Sequence, residues 1–168
     1  SYYSLLRGSV SAKRLVQQIV ESSEEREYEG KTFGVIVLMG KAQATEISKM
    51  LLAELGAEEF EKRSLLCGTP YDFQGDERDV IFISMVDAPH DGGYCRMDRR
   101  EETQRKFNVA VSRAKDQLWL FHTPTLNNLK EECLRYQLLD YCLHPRTQAL
   151  EMAGIDLVAI RQAATSPR

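Results

Sequence analysis

Apolar residues along this chain fall into two kinds of pattern. The first is the short unbroken run: Phe33-Gly34-Val35-Ile36-Val37-Leu38-Met39, Val80-Ile81-Phe82-Ile83 and Leu118-Trp119-Leu120-Phe121. Such runs are the signature of strands buried on both faces, as in a parallel sheet. They predict strands over 33–39, 79–85 and 116–122, with a further short strand over 63–67. The second pattern is recurrence at helical spacing. Val10, Leu15, Val16, Ile19 and Val20 lie close to one face of a helix predicted over 10–28, which Ser9 or Ser11 can cap and the charged run Glu21 to Glu29 closes. Ile47, Met50, Leu51 and Leu55 do the same for a helix over 42–55, with Gly56 as its C-cap. A helix is expected over 101–114, with Asn108 capping or kinking it. Another is expected from Pro124-Thr125 through about Leu143, where Pro145 stops it. Pro89, Asp91, Gly92 and Gly93 mark 87–94 as a loop, and 146–168 leave room for one short helix and a tail. The alternation β-α-β-β-α-β-α predicts an α/β fold, a largely parallel sheet with helices on both faces.

Size and composition change this picture little. The 168 residues suit one domain with a real core, and 43% hydrophobic with 28% charged residues is ordinary for a globular chain. No run approaches the roughly 18 apolar residues of a membrane span. The opening Tyr2 to Arg7 is too short and polar for a signal peptide, so a cytoplasmic protein without membrane contact is expected. Its first residue is Ser, which reads as a piece of a longer chain. Cys67, Cys95, Cys133 and Cys142 form no CxxC and pair with no His at ligand spacing, so reduced thiols and no metal site are expected.

Net charge is −3, which does not advertise nucleic-acid binding. The distribution is less even. Arg96, Arg99, Arg100, Arg105, Lys106, Arg113 and Lys115 stand against Asp98, Glu101 and Glu102 in one segment. That segment suits a phosphate-rich ligand. It equally suits a solvated helix face laced by Glu101–Arg105 and Glu102–Lys106 pairs.

Two apparent nucleotide signals fail. Gly30-Lys31-Thr32 matches the end of a phosphate loop, but Glu25 stands where the pattern needs Gly, and the triplet precedes a strand instead of linking a strand to a helix. Asp87 ends an apolar run as a Walker B acid would, yet the residues ahead of that run explain the strand better. Those residues are Phe73-Gln74-Gly75-Asp76-Glu77. Ahead of the next strand comes Asn108-Val109-Ala110-Val111-Ser112-Arg113-Ala114-Lys115. In this order the two stretches resemble motifs V and VI of superfamily 1 helicases, in the form found in the Upf1-like branch. The resemblance covers roughly residues 30 to 125. It implies a RecA-like, P-loop NTPase-type domain that lacks a P-loop of its own: the second domain of a motor. The chain then divides into a helical lead-in of the same domain (1–29), the RecA-like domain (30–145) and a C-terminal extension or tail (146–168).

The resemblance also implies roles. Arg113 would be an arginine finger, its planar, permanently charged guanidinium meeting the γ-phosphate across a cleft between two domains. Gly75 and Glu77 would border the nucleotide, Glu77 by accepting from a ribose hydroxyl or ordering the finger. Gln74 would couple the nucleotide to the nucleic-acid track, and Thr69 would touch that strand's backbone, although Thr69-Pro70 also suits plain turn chemistry. In motif IV, Gln43 fits the pattern of nucleotide contacts, but Ala44 or Thr45 stands where the family has an Arg, and Lys41 is a substitute without bidentate geometry. ATP and Mg²⁺ are thus the implied ligands, with Mg²⁺ held by a missing N-terminal RecA-like domain. Single-stranded DNA or RNA is the implied partner, and the fragment alone is expected to be inactive. Two rivals remain: a helicase-like module that binds nucleic acid or protein without an ATP cycle, and an unrelated α/β enzyme using Cys67 with His90 or His122. Trp119 and Phe121 read as core, not as base-stacking rings.

Overall fold

The computed structural model describes residues 2–87, 93–95 and 101–143. Most of the loop expected over 87–94, three of the segment's arginines (96, 99 and 100) and everything expected beyond 145 lie outside the described residues. The elements are α1 (Tyr2–Glu24), β1 (Phe33–Val37), α2 (Lys41–Lys62), β2 (Leu66–Gly68), β3 (Arg78–Met85), α3 (Glu101–Ser112), β4 (Ala114–His122) and α4 (Leu134–Leu143). Short 3-10 turns cover Arg26–Tyr28, Pro70–Phe73 and Leu126–Asn128. The four strands form one sheet in the order β2-β1-β3-β4, and every pairing is parallel. The fold is α/β of the RecA-like kind. Among the described residues, no helix is long and apolar enough to cross a membrane.

Alternation along the strands divides the core in two. On one face Val35, Val80, Phe82 and Trp119 meet Leu15 and Ile19 of α1 and Ile47 and Leu51 of α2. On the other, Ile36, Ile81, Ile83 and Leu120 meet Phe107 of α3, Leu139 of α4 and Phe73 of the Pro70–Phe73 turn. Phe82 stacks with Trp119 at 6.1 Å and meets Phe33 edge-on at 5.6 Å, so the aromatic residues of β4 belong to the core. β4 carries a bulge near its start: Arg78 pairs with Ala114, but Val80 pairs with Gln117.

Several element ends differ from the sequence reading. Gly56 does not cap α2; it sits at φ 78, ψ 164 inside it, and helical turns resume to Lys62. The later segment, Ala57 to Lys62, is built of good helix formers and brings Phe60 onto the core. The true end is a Schellman closure, with Ser64 N–H on Glu61 O, Leu65 N–H on Phe60 O, and Ser64 itself left-handed at φ 47. Arg63 belongs to no strand. It is buried, stacks 4.7 Å over Phe33, and donates to the Glu59 carboxylate and to the carbonyls of Tyr28, Lys31 and Ser23. Asn108 neither caps nor kinks α3; it is an exposed residue of an unbroken helix. The helix expected from Pro124 is split, because the Asn128 side chain accepts from the Thr125 backbone and hydroxyl and holds a turn instead.

The connection from β2 to β3 positions everything that follows. It must cross β1, from the C-terminal edge of the sheet back to its N-terminal edge, with no helix. Thr69 and Asp72 start it: Asp72 Oδ2 accepts from the Thr69 backbone at 2.7 Å and from its hydroxyl at 2.9 Å. Phe73 is fully buried against the sheet directly over Gly34. A Cβ on Gly34 would stand 2.7 Å from Ile81 Cδ1, 2.8 Å from Phe73 Cε1 and 3.0 Å from Arg78 Cγ. Gly34→Ala is therefore expected to destabilise the chain by about 1–3 kcal/mol, the usual cost of overpacking. Ile81→Val removes the nearest atom, so Gly34→Ala with Ile81→Val should lose less than the sum of the two single changes in urea unfolding. Strict additivity would refute the steric account.

Candidate functional site

Three of the residues singled out from the sequence come together at the N-terminal edge of the sheet. Phe73 to Asp76 form a tight turn closed by Asp76 N–H on Phe73 O at 3.1 Å. Gln74 takes φ −65, ψ 115, and Gly75 takes φ +80, which is the type II form. Only Gly adopts that second position without strain, and the space around its missing side chain is open to 4 Å. Glu77 follows on the surface. Arg113 lies between α3 and β4, and its carbonyl accepts from Arg78 N–H at 3.0 Å, so the end of α3 is fastened beside Glu77.

Arg78 is the clamp, and sequence reasoning passed it over. Its Nε donates to Ser64 O at 2.7 Å, and its Nη1 reaches Glu77 O at 2.8 Å and Asp76 Oδ1 at 3.3 Å. One side chain thus ties the Gly75 turn to the end of α2. Arg113 is different. Its Nε is shielded from solvent and has no hydrogen-bond partner, and its side chain makes no ion pair among the described residues. A shielded guanidinium N–H without an acceptor is costly, and Trp119 Nε1 is the other such atom among the described residues.

The same edge accounts for Gly30-Lys31-Thr32. Lys31 pairs with Asp116, and Thr32 binds Asp79 through its backbone at 2.7 Å and its hydroxyl at 2.9 Å. The triplet precedes β1 and opens no helix, so it is a strand-edge staple. The Asp116 partner holds the Lys31 ammonium above its ordinary value. Burial pushes the Asp79 carboxyl up, but the hydrogen bonds from Thr32 together with the Lys115 and Lys31 charges more than offset it and leave it below the ordinary value.

Lys41, Gln43 and Thr69 sit at the opposite, C-terminal edge. Gln43 Oε1 accepts from Ser84 Oγ at 3.0 Å. From Ser84 back to Arg78 the strand runs about 20 Å at about 3.3 Å per residue. Lys41 and Gln43 are therefore not joined to the Gly75–Glu77–Arg113 group within this chain. Lys41 instead borders a cavity of about 320 Å³ between α2 and β2 with Ser48, Lys49, Cys67 and Asp72. Thr69 spends its hydroxyl on Asp72, whose carboxyl lies below its ordinary value because the Thr69 backbone and hydroxyl donate to it. Gln74 is exposed in the turn that leads from this edge to the other.

A thiol-based site finds no support. Burial pushes Cys67 up to about 12, far from a thiolate at neutral pH. His122 is engaged through Nδ1 with the Pro124 carbonyl at 2.8 Å, and His90 lies outside the described residues. Among the described residues no three His, Cys, Asp or Glu side chains are grouped to hold a metal ion. The basic segment divides as well: Arg105 pairs with Glu101 at 3.6 Å and Lys106 with Glu102 at 3.2 Å along α3.

Two comparisons with known proteins bear on this geometry. A family model described as an AAA domain matches residues 9–124, which span all four strands and both motif-like stretches. A Drosophila melanogaster protein, "Probable RNA helicase armi", is 38% identical over 81 residues, covering 45% of this chain and 6% of the relative. The chain thus spans a small part of the curated relative it matches.

The two carboxylates that staple the edges make a pH test. Asp72 and Asp79 are both held below 3.8 in the folded chain. As pH falls through that range the unfolded chain binds protons that the folded chain does not. The stability they contribute is thus complete above about pH 5 and is lost as pH drops through about 4 and below. Asp79→Asn should lower the melting temperature at pH 7 and flatten this acid limb. An unchanged slope of Tm against pH between 5 and 3 would show that Asp79 carries none of it.

Proposed function

This chain belongs to the AAA domain family and is a helicase-type domain, and from that premise we propose that it is the second motor domain of an ATP-dependent superfamily 1 helicase acting on single-stranded nucleic acid. The observation that carries this reading is the meeting of Gly75, Glu77 and Arg113 at one sheet edge, with the shielded Arg113 Nε lacking a hydrogen-bond partner among the described residues. A group that completes a site between two domains has this character. Its stabilising contact arrives with the other half.

In this proposal Gly75 lets the backbone approach a phosphate or ribose, since its Cβ position is open. Glu77 accepts a hydrogen bond from the ribose or steadies the finger. Arg113 neutralises charge that develops on the transferring phosphoryl group. A P-loop, the Mg²⁺ ligands and the water-orienting acid would come from an N-terminal RecA-like domain. Lys41 and Gln43 are better assigned to the strand than to the nucleotide, because they stand with Thr69 at the far edge, with Gln74 in the turn between. The relative's name, an RNA helicase, favours RNA as that strand. The rival module without an ATP cycle would leave the shielded Arg113 Nε, which has no partner among the described residues, with no task.

Two results are expected. The chain alone should release no phosphate from ATP, with or without single strands; turnover by pure chain would overturn the two-domain reading. In the longer protein Arg113→Ala should lower kcat by about 10³–10⁵-fold with little change in the KM for ATP, since a transition-state contact is removed. Arg113→Lys should rescue poorly because an ammonium lacks the fork. Tm should barely move, as the Arg113 side chain makes no ion pair among the described residues. Unchanged kcat in Arg113→Ala would remove the residue from the mechanism.

A further inference from the structure

Tyr71 is the second residue of the Pro70–Phe73 turn, and unlike its neighbours Pro70 and Phe73 it turns outward, with 46% of its surface exposed. An exposed aromatic ring normally samples several rotamers. This one is held. Its hydroxyl donates to Glu102 Oε1 of α3, and Lys106 Nζ lies 5.1 Å from its ring centroid. Lys106 is in turn paired with Glu102 at 3.2 Å. The acceptor Glu102 keeps the phenol above its ordinary value, so the hydroxyl retains its proton and its hold through the neutral range. A presented, pre-positioned ring loses little entropy on engaging a partner.

Beside the ring is a groove of about 140 Å³ between the turn and α3, bordered by Pro70, Tyr71, Gln74, Glu102, Arg105, Lys106 and Val109. Its contents are an aromatic face, an apolar floor, an amide, two cations and the Glu102 carboxylate that pairs with one of them. The Arg105 pair with Glu101 is almost wholly exposed, with side chains 80% and 87% accessible, so it constrains Arg105 weakly. A ring with cations at its margin and an amide within reach is the chemistry that receives an unpaired base: the π face stacks whichever base is present, and the cations meet the adjoining phosphates. A groove for an apolar peptide would not place two cations and a carboxylate around its opening.

We propose that Tyr71 is a stacking platform for one unpaired base of the single strand, with Lys106 covering one ring face and the base the other, Gln74 beside the base edge, and Arg105 meeting the phosphate backbone. The inference rests on the proposed function, since it assigns a contact to the strand that reading supplies. It places that contact one turn from Thr69, so the strand would run along the Pro70–Phe73 turn and not across the Arg113 edge.

The test is a polarisation titration of the whole chain with labelled oligouridylate and with an equally long strand of abasic spacers, at one fixed salt concentration. Wild type should prefer oligouridylate. Tyr71→Ala should weaken oligouridylate by between about 5- and 150-fold, the range for loss of one stacked base, and leave the abasic strand unaffected. Tyr71→Phe keeps the ring and loses the Glu102 bond, and should stay within about twofold of wild type. Tyr71→Trp should bind, with fluorescence quenched by oligouridylate and not by the abasic strand. Equal binding of both strands, or no effect of Tyr71→Ala, overturns the stacking role while leaving the proposed function intact. A loss in Tyr71→Phe equal to that in Tyr71→Ala overturns it in favour of a clasp between the turn and α3. Failure of wild type to bind either strand overturns both the stacking role and the strand-binding reading beneath it.

Discussion

The close approach of Phe73 to Gly34 is the constraint on which the rest of this structure depends. A parallel sheet requires each connection to return from one edge to the other, and most do so with a helix. Here the return from β2 to β3 has only a 3-10 turn, so its one large side chain must carry the packing that a helix would spread over several. Phe73 reaches the sheet only because β1 has no side chain at Gly34. With the turn pressed that tightly, Gly75 and Glu77 emerge at the N-terminal edge beside the end of α3. What resembles a nucleotide motif is thus also the cheapest route for the chain, and packing and site geometry are set by the same contact.

Charge is arranged on the same plan. The chain is mildly acidic overall, and several of its described cations are held by local partners. Lys31 is held by Asp116, Arg63 by Glu59 and three carbonyls, Arg78 by the turn it clamps, and Arg135 by Asp87. These pairings anchor loops at the sheet edges, where backbone groups lack ladder partners. Arg113 differs from these, since its shielded Nε has no hydrogen-bond partner among the described residues. Arg63 shows the opposite use of the same side chain: buried and saturated with acceptors, it joins α1, β1 and the end of α2.

Much of this architecture was legible in the sequence, because unbroken apolar runs admit few alternatives to buried parallel strands. The strand cores, the core position of Trp119 and Phe121 and the i,i+4 pairs of α3 follow from pattern alone. The misread ends share a cause. Gly56 and Asn108 are local signals, whereas the packing of Phe60 carries α2 onward and α3 packs Phe107 and Ala110 into the core on either side of Asn108. The real end of α2 uses a left-handed Ser64, which carries no composition signal. Of the site, Gly75 and Arg113 stood out because the stretches that hold them resemble family motifs, and the left-handed φ at Gly75 gives that position a physical reason of its own. The separation of Lys41 and Gln43 from them was not, since it depends on which edge of the sheet each loop leaves. Tyr71 gave only the weak signal of an aromatic between Pro and Asp, and its partners thirty residues on could be found only by folding.

The bulge at the start of β4 has its own consequence. A regular strand has one phase: fix the facing of Leu118 and every earlier residue is fixed with it. The extra residue between Ala114 and Gln117 resets that phase. The apolar stretch from Leu118 to Phe121 can therefore satisfy the interior while the residues up to Arg113 take their orientation from the edge. In this sense the strand is two sentences with a comma between them, and the chemistry of the first can be rewritten without disturbing the packing of the second.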